Sequence, residues 1–185
     1  MNPVRAFYVV FGKKERDLRL HMFRGTHEAK VDEKGRLKLP ADFMKVTVER
    51  SYGPTWFITS RDGRTTEIWP MQEWEIEEAK KAALPEDDPA KITWMRIVNH
   101  FGGVAEIDKQ DRLMLSKKVR ERFSLVNAEV VVRGQQKFLT VLTEQEAERE
   151  IAGLLGPQDE AAQQMTVAEA RLNLASREAA RQQGS

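Results

Sequence analysis

The sequence predicts an α+β fold made of two tandem copies of one small unit: a β-hairpin, a short helix, a second β-hairpin and a longer helix. Three observations predict it. The stretch Ala29-Lys30-Val31-Asp32-Glu33-Lys34-Gly35-Arg36-Leu37-Lys38-Leu39 returns 76 residues later as Ala105-Glu106-Ile107-Asp108-Lys109-Gln110-Asp111-Arg112-Leu113-Met114-Leu115, without a gap. A single Asp-x-x-x-Arg is a common accident, but the pattern Ala-x-(Val/Ile)-Asp-x-x-x-Arg-Leu-x-Leu occurring twice is an internal repeat. Within each copy apolar and polar residues alternate with period two, as in a half-buried strand. The residues that follow each copy also place helix starts and turns at matching points.

In the first copy Ala29 and Val31 alternate with Lys30 and Asp32, and Leu37 and Leu39 alternate with Arg36 and Lys38. Gly35 centres the turn, because glycine enters positive φ freely. Asp111 takes that place in the second copy, and Asp is among the few side chains that tolerate it. Pro40 suits the first position of a helix over Ala41–Val46, and Ser116 suits the N-cap of one over Lys117–Phe123. Trp56–Ser60 and Thr65–Trp69 flank Asp62-Gly63, a hairpin turn. Glu129–Val132 and Lys137–Leu142 flank Gly134.

Each half closes with a longer helix. The first follows Pro70 toward Leu84. The second opens on Thr143-Glu144-Gln145-Glu146, a capping-box pattern, and stops at Gly156-Pro157. Between the halves, Pro85-Glu86-Asp87-Asp88-Pro89 reads as a linker, followed by a helix from Ala90 to Phe101 with Asp88 as N-cap and Gly102-Gly103 as terminator. The expected organisation is an N-terminal extension (1–21), a first repeat (22–84), a linker and connecting helix (85–103), a second repeat with its closing helix (104–156) and a polar C-terminal tail (157–185). The tail is rich in Ala, Gln, Glu and Arg and reads equally as a surface helix or a mobile tail.

Composition narrows the function classes. Charged residues make up 32% and hydrophobic residues 41%, which is a globular balance with a heavily charged surface. With no cysteine, disulfides and thiolate metal sites are excluded, and a cytosolic setting is natural. The apolar run Ala6–Phe11 falls far short of the roughly 20 residues a membrane span needs, and charged residues follow it where a signal-peptide cleavage site would stand. Net charge is only +1. Net-basic blocks at 22–70 and 104–142 nevertheless alternate with net-acidic ones at 71–88 and 143–185, so a local positive face is available for nucleic acid. No glycine-rich phosphate loop, Ser-His-Asp set or convincing carboxylate pair is present, so no enzyme and no cofactor is expected.

Met22-Phe23-Arg24-Gly25-Thr26, then Val31-Asp32-Glu33-Lys34-Gly35-Arg36-Leu37, Trp69-Pro70-Met71-Gln72-Glu73-Trp74-Glu75 and Gly134-Gln135-Gln136-Lys137-Phe138 resemble, in that order, the MraZ family of transcriptional regulators. The resemblance spans roughly residues 22 to 150. It implies two AbrB-like units intertwined in one chain as a swapped-hairpin β-barrel, and subunits assembled into a ring. It also implies a nucleoid-associated cytoplasmic protein that binds short G-containing direct repeats in double-stranded DNA, upstream of its own division and cell-wall gene cluster. This sequence departs from the family pattern in three places. Residues 1–21 precede the family's usual start, so they are either a real extension or an upstream start assignment with Met22 as the alternative. Asp111 replaces an expected glycine, and Ser116 stands where the first copy has Pro40.

The candidate DNA-binding residues follow from both readings. Arg36, with Arg112 as its counterpart, offers a rigid fork of donors that fits phosphate or the O6/N7 edge of guanine. Lys34, Lys38 and Arg24 are candidate phosphate contacts. Asp32 and Asp108, with Gly35, are expected to orient the arginine or close the turn, since a carboxylate beside phosphates is repelled. The competing reading is that Asp32 and Arg36 merely pair on the surface, which contributes little. Lys117, Lys118, Arg120 and Arg122 could face DNA or a neighbouring subunit. Trp56, Trp69, Trp74 and Trp94 sit in apolar patterns and are expected in the core or at subunit contacts. His21, His27 and His100 lack metal-ligand spacing. Glu73, Glu75, Glu77 and Glu78 read as a solvated acidic face. The leading expectation is a sequence-specific DNA-binding regulator that forms a ring-like homo-oligomer. The alternative is an AbrB-like, antitoxin-type protein-interaction module.

Overall fold

The computed structural model describes residues 22–156 together with Glu169, Arg171 and Leu172. The expected extension over 1–21 and nearly all of the polar tail lie outside the described residues. The described residues divide between two units, the first ending at Glu144 and the second beginning at Gln145.

In the first unit the elements run β1 (Thr26–Val31), β2 (Arg36–Lys38), α1 (Ala41–Glu49), β3 (Thr55–Thr59), β4 (Thr66–Pro70), α2 (Met71–Ala82), α3 (Pro89–Phe101), β5 (Gly103–Glu106), β6 (Arg112–Met114), α4 (Lys117–Arg122), β7 (Ala128–Gly134) and β8 (Leu139–Thr143). The strands form one eight-stranded antiparallel sheet in the order β5-β3-β4-β8-β7-β1-β2-β6. Its end strands β5 and β6 are joined by the second hairpin turn, where the Asp108 N–H donates to the Arg112 carbonyl at 3.0 Å. The sheet is therefore a nearly closed barrel, which leaves little open edge.

The pairing is swapped between the halves, as the resemblance implies. β1 pairs with β7, β2 with β6, β3 with β5 and β4 with β8, so each of these ladders joins one half to the other. Inside the first hairpin only Val31 and Leu37 are in register. Neither half can complete its sheet alone.

Period-two alternation decides which side chains fill the barrel. Val31, Leu37, Leu39, Trp56, Ile58, Ile68, Leu113, Leu115, Val130, Val132, Leu139 and Val141 point inward and are buried, with Phe23, Phe43, Val119, Phe123 and Leu125 closing the ends. A second cluster of Trp69, Trp74 and Val98 lies between the outer face of β3–β4 and helices α2 and α3. There the rings of Trp69 and Phe138 stack at 4.0 Å and those of Phe57 and Trp74 at 4.5 Å. Three of the four tryptophans are buried and Trp94 is partly so, which is the core role expected of them.

Several local details differ from the expectation. Pro40 and Pro70 are N-cap residues, one position before the helix, and neither makes a side-chain cap. Asp88 and Ser116 do cap, through Ala90 N and Lys91 N and through Val119 N. The strand expected from Lys137 begins at Leu139, because Gln136 takes φ 64 and bridges Phe23. Gly134 does not shape that turn. It ends β7 where the Phe23–Arg24 backbone crosses so closely that a Cβ would lie 2.4 Å from the Phe23 carbonyl carbon.

The acidic face expected on α2 is only half solvated. Glu75 and Glu78 are exposed, but Glu73 is buried, accepting from Arg50 Nη2 and Tyr52 Oη at 2.7 Å each. Lys137 Nζ stands 3.5 Å from its other oxygen. Burial opposes ionisation of Glu73, but these partners outweigh it and hold the carboxyl below its ordinary range. Tyr52, half-buried and donating to Glu73, is pushed up to about 12.

The last helix, α5 (Glu144–Leu155), runs into the second unit and ends at Gly156, whose φ is 55 and whose N–H donates to the Ala152 carbonyl. Among the described residues no helix is long and apolar enough to cross a membrane.

Candidate nucleic-acid interface

The two Asp-x-x-x-Arg segments fold into the same device. In the first tip Asp32 Oδ1 accepts from the backbone N–H groups of Lys34 (3.0 Å) and Arg36 (2.9 Å). Asp32 Oδ2 takes Arg36 Nε and Nη2, both at 2.7 Å. In the second tip Asp108 Oδ1 accepts from Gln110 N (2.8 Å) and Arg112 N (3.1 Å), while Oδ2 takes Arg112 Nε (2.8 Å) and Nη2 (2.7 Å). The arginine hydrogen bond is the main reason that the Asp32 carboxyl is lowered and that of Asp108 falls to about 2. Each aspartate thus closes its turn with one oxygen and aims its arginine with the other. Both pairs are partly exposed, so they add little stability; their effect is to fix geometry.

The third turn position needs positive φ in both tips. Gly35 takes φ 82 and Asp111 takes φ 59, the substitution expected to be tolerated there. A side chain at residue 35 would also displace the Arg120 side chain, whose Cδ lies 2.2 Å from where a Cβ would stand.

Strand register brings the two tips onto one face. Leu37 lies opposite Leu113, Arg36 opposite Met114 and Lys38 opposite Arg112. With both leucines inside, Arg36, Lys38, Arg112 and Met114 all stand on the outer side of the β2–β6 ladder. Arg36 and Arg112 are diagonal neighbours there, roughly 7–8 Å apart at the backbone.

Lys34 belongs to the same region. With Lys30, Asp32, Glu33, Arg36 and Asn127 it lines an open recess of about 360 Å³ beside the first tip. Lys30 and Asn127 were not among the sequence candidates. The signal for Lys30 was available, because its alternation with Val31 turns it outward, where it meets Glu129 at 3.0 Å. Asn127 comes from the turn before β7, and only the swapped pairing brings it here. Arg24 is not in this group. It precedes β1 at the end away from the tip, about 20 Å of strand from Asp32.

The cations of α4 do not act as one cluster. Lys117 faces Glu121 at 3.7 Å, Arg122 reaches the Gly63 carbonyl at 3.4 Å, and Arg120 Nη1 donates to the Lys34 carbonyl at 2.9 Å. Among the described residues no group of three or more His, Asp or Glu is placed to hold a metal ion.

Comparison with known proteins supplies the context. Residues 22–96 match the family model described as "MraZ protein, putative antitoxin-like". A protein of Acidobacterium capsulatum named "Transcriptional regulator MraZ" is 49% identical over 120 residues, covering 65% of this chain and 81% of that one. Proteins of the same name from Koribacter versatilis and Neisseria meningitidis are 38% identical over 130 residues and 30% identical over 135. Those matches cover 70% and 72% of this chain, and 88% of each relative. With a swapped barrel, a duplicated arginine tip and relatives matched over most of their length, the chain belongs to the MraZ family.

Proposed function

We propose that this chain is a transcriptional regulator that binds double-stranded DNA through the outer face of the β2–β6 ladder and its two tips. The observation that carries the reading is the paired presentation of Arg36 and Arg112, each aimed by its own aspartate, on a single face. Each fork holds its aspartate through Nε and Nη2, which turns Nη1 away from the carboxylate. Lys38 stands directly opposite Arg112, so a second cation adjoins the Asp108-paired fork on this face. Phosphate contacts by Lys34 and Lys38 would position the protein, and base-edge contacts by the arginines would specify the site. Arg24 lies at the end of β1 away from the two tips, so a phosphate contact there would fall outside the paired arginines.

The finer parts of the reading rest on the family. They are two repeat units over 22–84 and 104–156, a ring-like homo-oligomer, a nucleoid-associated cytoplasmic setting, and an operator of short direct repeats before its own division and cell-wall gene cluster. Several subunits engaging several repeats would convert weak single contacts into useful affinity. The relatives' names point to regulation and not to catalysis. Titration of a labelled duplex from upstream of its own gene against a copy with scrambled repeats tests the proposal. Tighter binding to the native duplex, falling steeply with salt, is the expected result. Equal binding to both would remove the specific-regulator reading, and no binding to either would favour a protein-interaction module.

A further inference from the structure

The two tips share a closing device but differ in what stands behind them. Behind the first tip stands an arginine from the other half of the chain. Arg120 on α4 donates from Nη1 to the Lys34 main-chain carbonyl, and its Cδ and guanidinium fill the space that a side chain at residue 35 would occupy. Its Nε is buried with no hydrogen-bond partner among the described residues. An arginine free to swing into water would avoid that desolvation, so packing against the tip holds this one in place. The repeat identifies its counterpart. Phe43 and Val119, and likewise Thr47 and Phe123, are buried pairs 76 residues apart, so α1 and α4 follow the same register. Met44 is therefore the residue equivalent to Arg120. The first tip combines Gly35 with Arg120, and the second combines Asp111 with Met44.

Resting on the DNA reading above, we infer that Arg120 is a positioning residue of the first tip: its guanidinium, seated over Gly35 and bonded to the Lys34 carbonyl, sets the turn that presents Lys34 and Arg36 to duplex DNA. The second tip has no such brace, and the chain therefore reads DNA asymmetrically. Lys34 and Arg36 flank Gly35 directly, so a shift of this turn moves both of their side chains relative to the phosphates. The brace also crosses the halves, so the second half controls the main contact of the first.

The test is a double-mutant cycle on the full chain. The duplex from upstream of its own gene is titrated at one salt concentration with wild type, Arg36→Ala, Arg120→Met, Arg120→Lys and the Arg36→Ala/Arg120→Met double variant. Circular dichroism melting and amide exchange at Gly35 and Arg36 are measured alongside. Misplacement of the Lys34 and Arg36 contacts predicts about a tenfold weakening for Arg120→Met, the scale of one lost charge-assisted contact, with partial recovery in Arg120→Lys. Faster exchange at Gly35 and Arg36 is expected, and a smaller loss when Arg120→Met is added to Arg36→Ala than when it is made alone, because only the Lys34 contact is then left to displace. Arg36→Ala weakening the complex while Arg120→Met leaves it unchanged would overturn this inference alone. So would losses that simply add, because they would make Arg120 an independent contact. Absence of duplex binding by the wild-type chain would overturn the DNA reading itself, and this inference with it.

Discussion

Leu37 of the first half and Leu113 of the second lie directly opposite each other across the β2–β6 ladder, both fully buried, and each is the other's counterpart in the repeat. The pair marks the local two-fold axis that relates the halves. It fills the barrel on one side and fixes, on the other, the spacing of Arg36 from Arg112. Packing and presentation of the interface are therefore consequences of one register.

Replacing either leucine by alanine removes fully buried side-chain volume where nothing can collapse into the gap. Each of Leu37→Ala and Leu113→Ala is expected to cost about 2–5 kcal/mol of stability in urea unfolding. Because the two positions are neighbours, the double variant should lose measurably less or more than the sum. Strict additivity would show that the pair is not the shared centre described here.

Glu73 joins α2 to the segment after α1 and to the turn before β8 through Arg50, Tyr52 and Lys137. Glu73→Ala removes the buried acceptor of two partly buried donors and should cost on the order of 2 kcal/mol. Glu75→Ala, on the exposed side of the same helix, should stay within about 0.5 kcal/mol. Thermal melts of the two variants side by side give the comparison, and similar losses would contradict the buried network.

Two glycines are expected to respond in opposite directions. A Cβ at Gly134 would lie 2.5 Å from Arg24 N and 2.6 Å from the Phe23 carbonyl oxygen, and backbone cannot swing aside. Gly134→Ala should therefore destabilise by about 1–3 kcal/mol. Gly153 lies within α5 with open space around it, so Gly153→Ala should stabilise by roughly 0.5–1 kcal/mol through helix propensity. Chemical denaturation of both variants checks the signs.

The aspartates of the tips make a pH prediction. Asp108 titrates near 2 when folded against an ordinary value of 3.8, and Asp32 is shifted the same way. A depressed carboxyl pKa contributes stability in full above the unfolded value, and the contribution is lost as pH falls through the folded one. The Asp108 turn should thus stay closed down to about pH 4 and loosen between about 4 and 2, and the Asp32 turn should likewise loosen only below its ordinary 3.8. Carboxyl chemical shifts followed by NMR would show it, and midpoints near 3.8 for both residues would contradict it.

The repeat, the hairpins and the inward leucines were legible because each depends on local alternation and turn chemistry. The closing device was legible for the same reason, since Asp32 reaches only to Arg36. What depended on long-range pairing was not. Asn127 reaches the first tip only because β1 pairs with β7, and Arg120 reaches it only because β2 pairs with β6. Gly134 looked like a turn residue because the chain that crosses it, at Phe23, is far away in sequence. Glu73 looked solvated because its neighbours on α2 are charged, while its partners arrive from other elements. Arg24 was legible as a candidate phosphate contact, but its distance from the tip was not, since it depends on β1 running as one strand between Arg24 and Asp32.

The most direct test of the central claim, that one face carrying two aspartate-aimed arginines contacts DNA, is a titration of Arg36→Ala and Arg112→Ala against the same upstream duplex at one salt concentration. Circular dichroism and light scattering would confirm fold and assembly. The first tip has Gly35 and the Arg120 brace, whereas the second carries the extra carboxylate of Asp111, which repels phosphate. Arg36→Ala is therefore expected to weaken binding by about tenfold or more, the scale of a lost charge-assisted contact. Arg112→Ala should weaken it clearly less, and Asp111→Gly should tighten it slightly. Wild-type affinity in both alanine variants, with the fold intact, would contradict the claim.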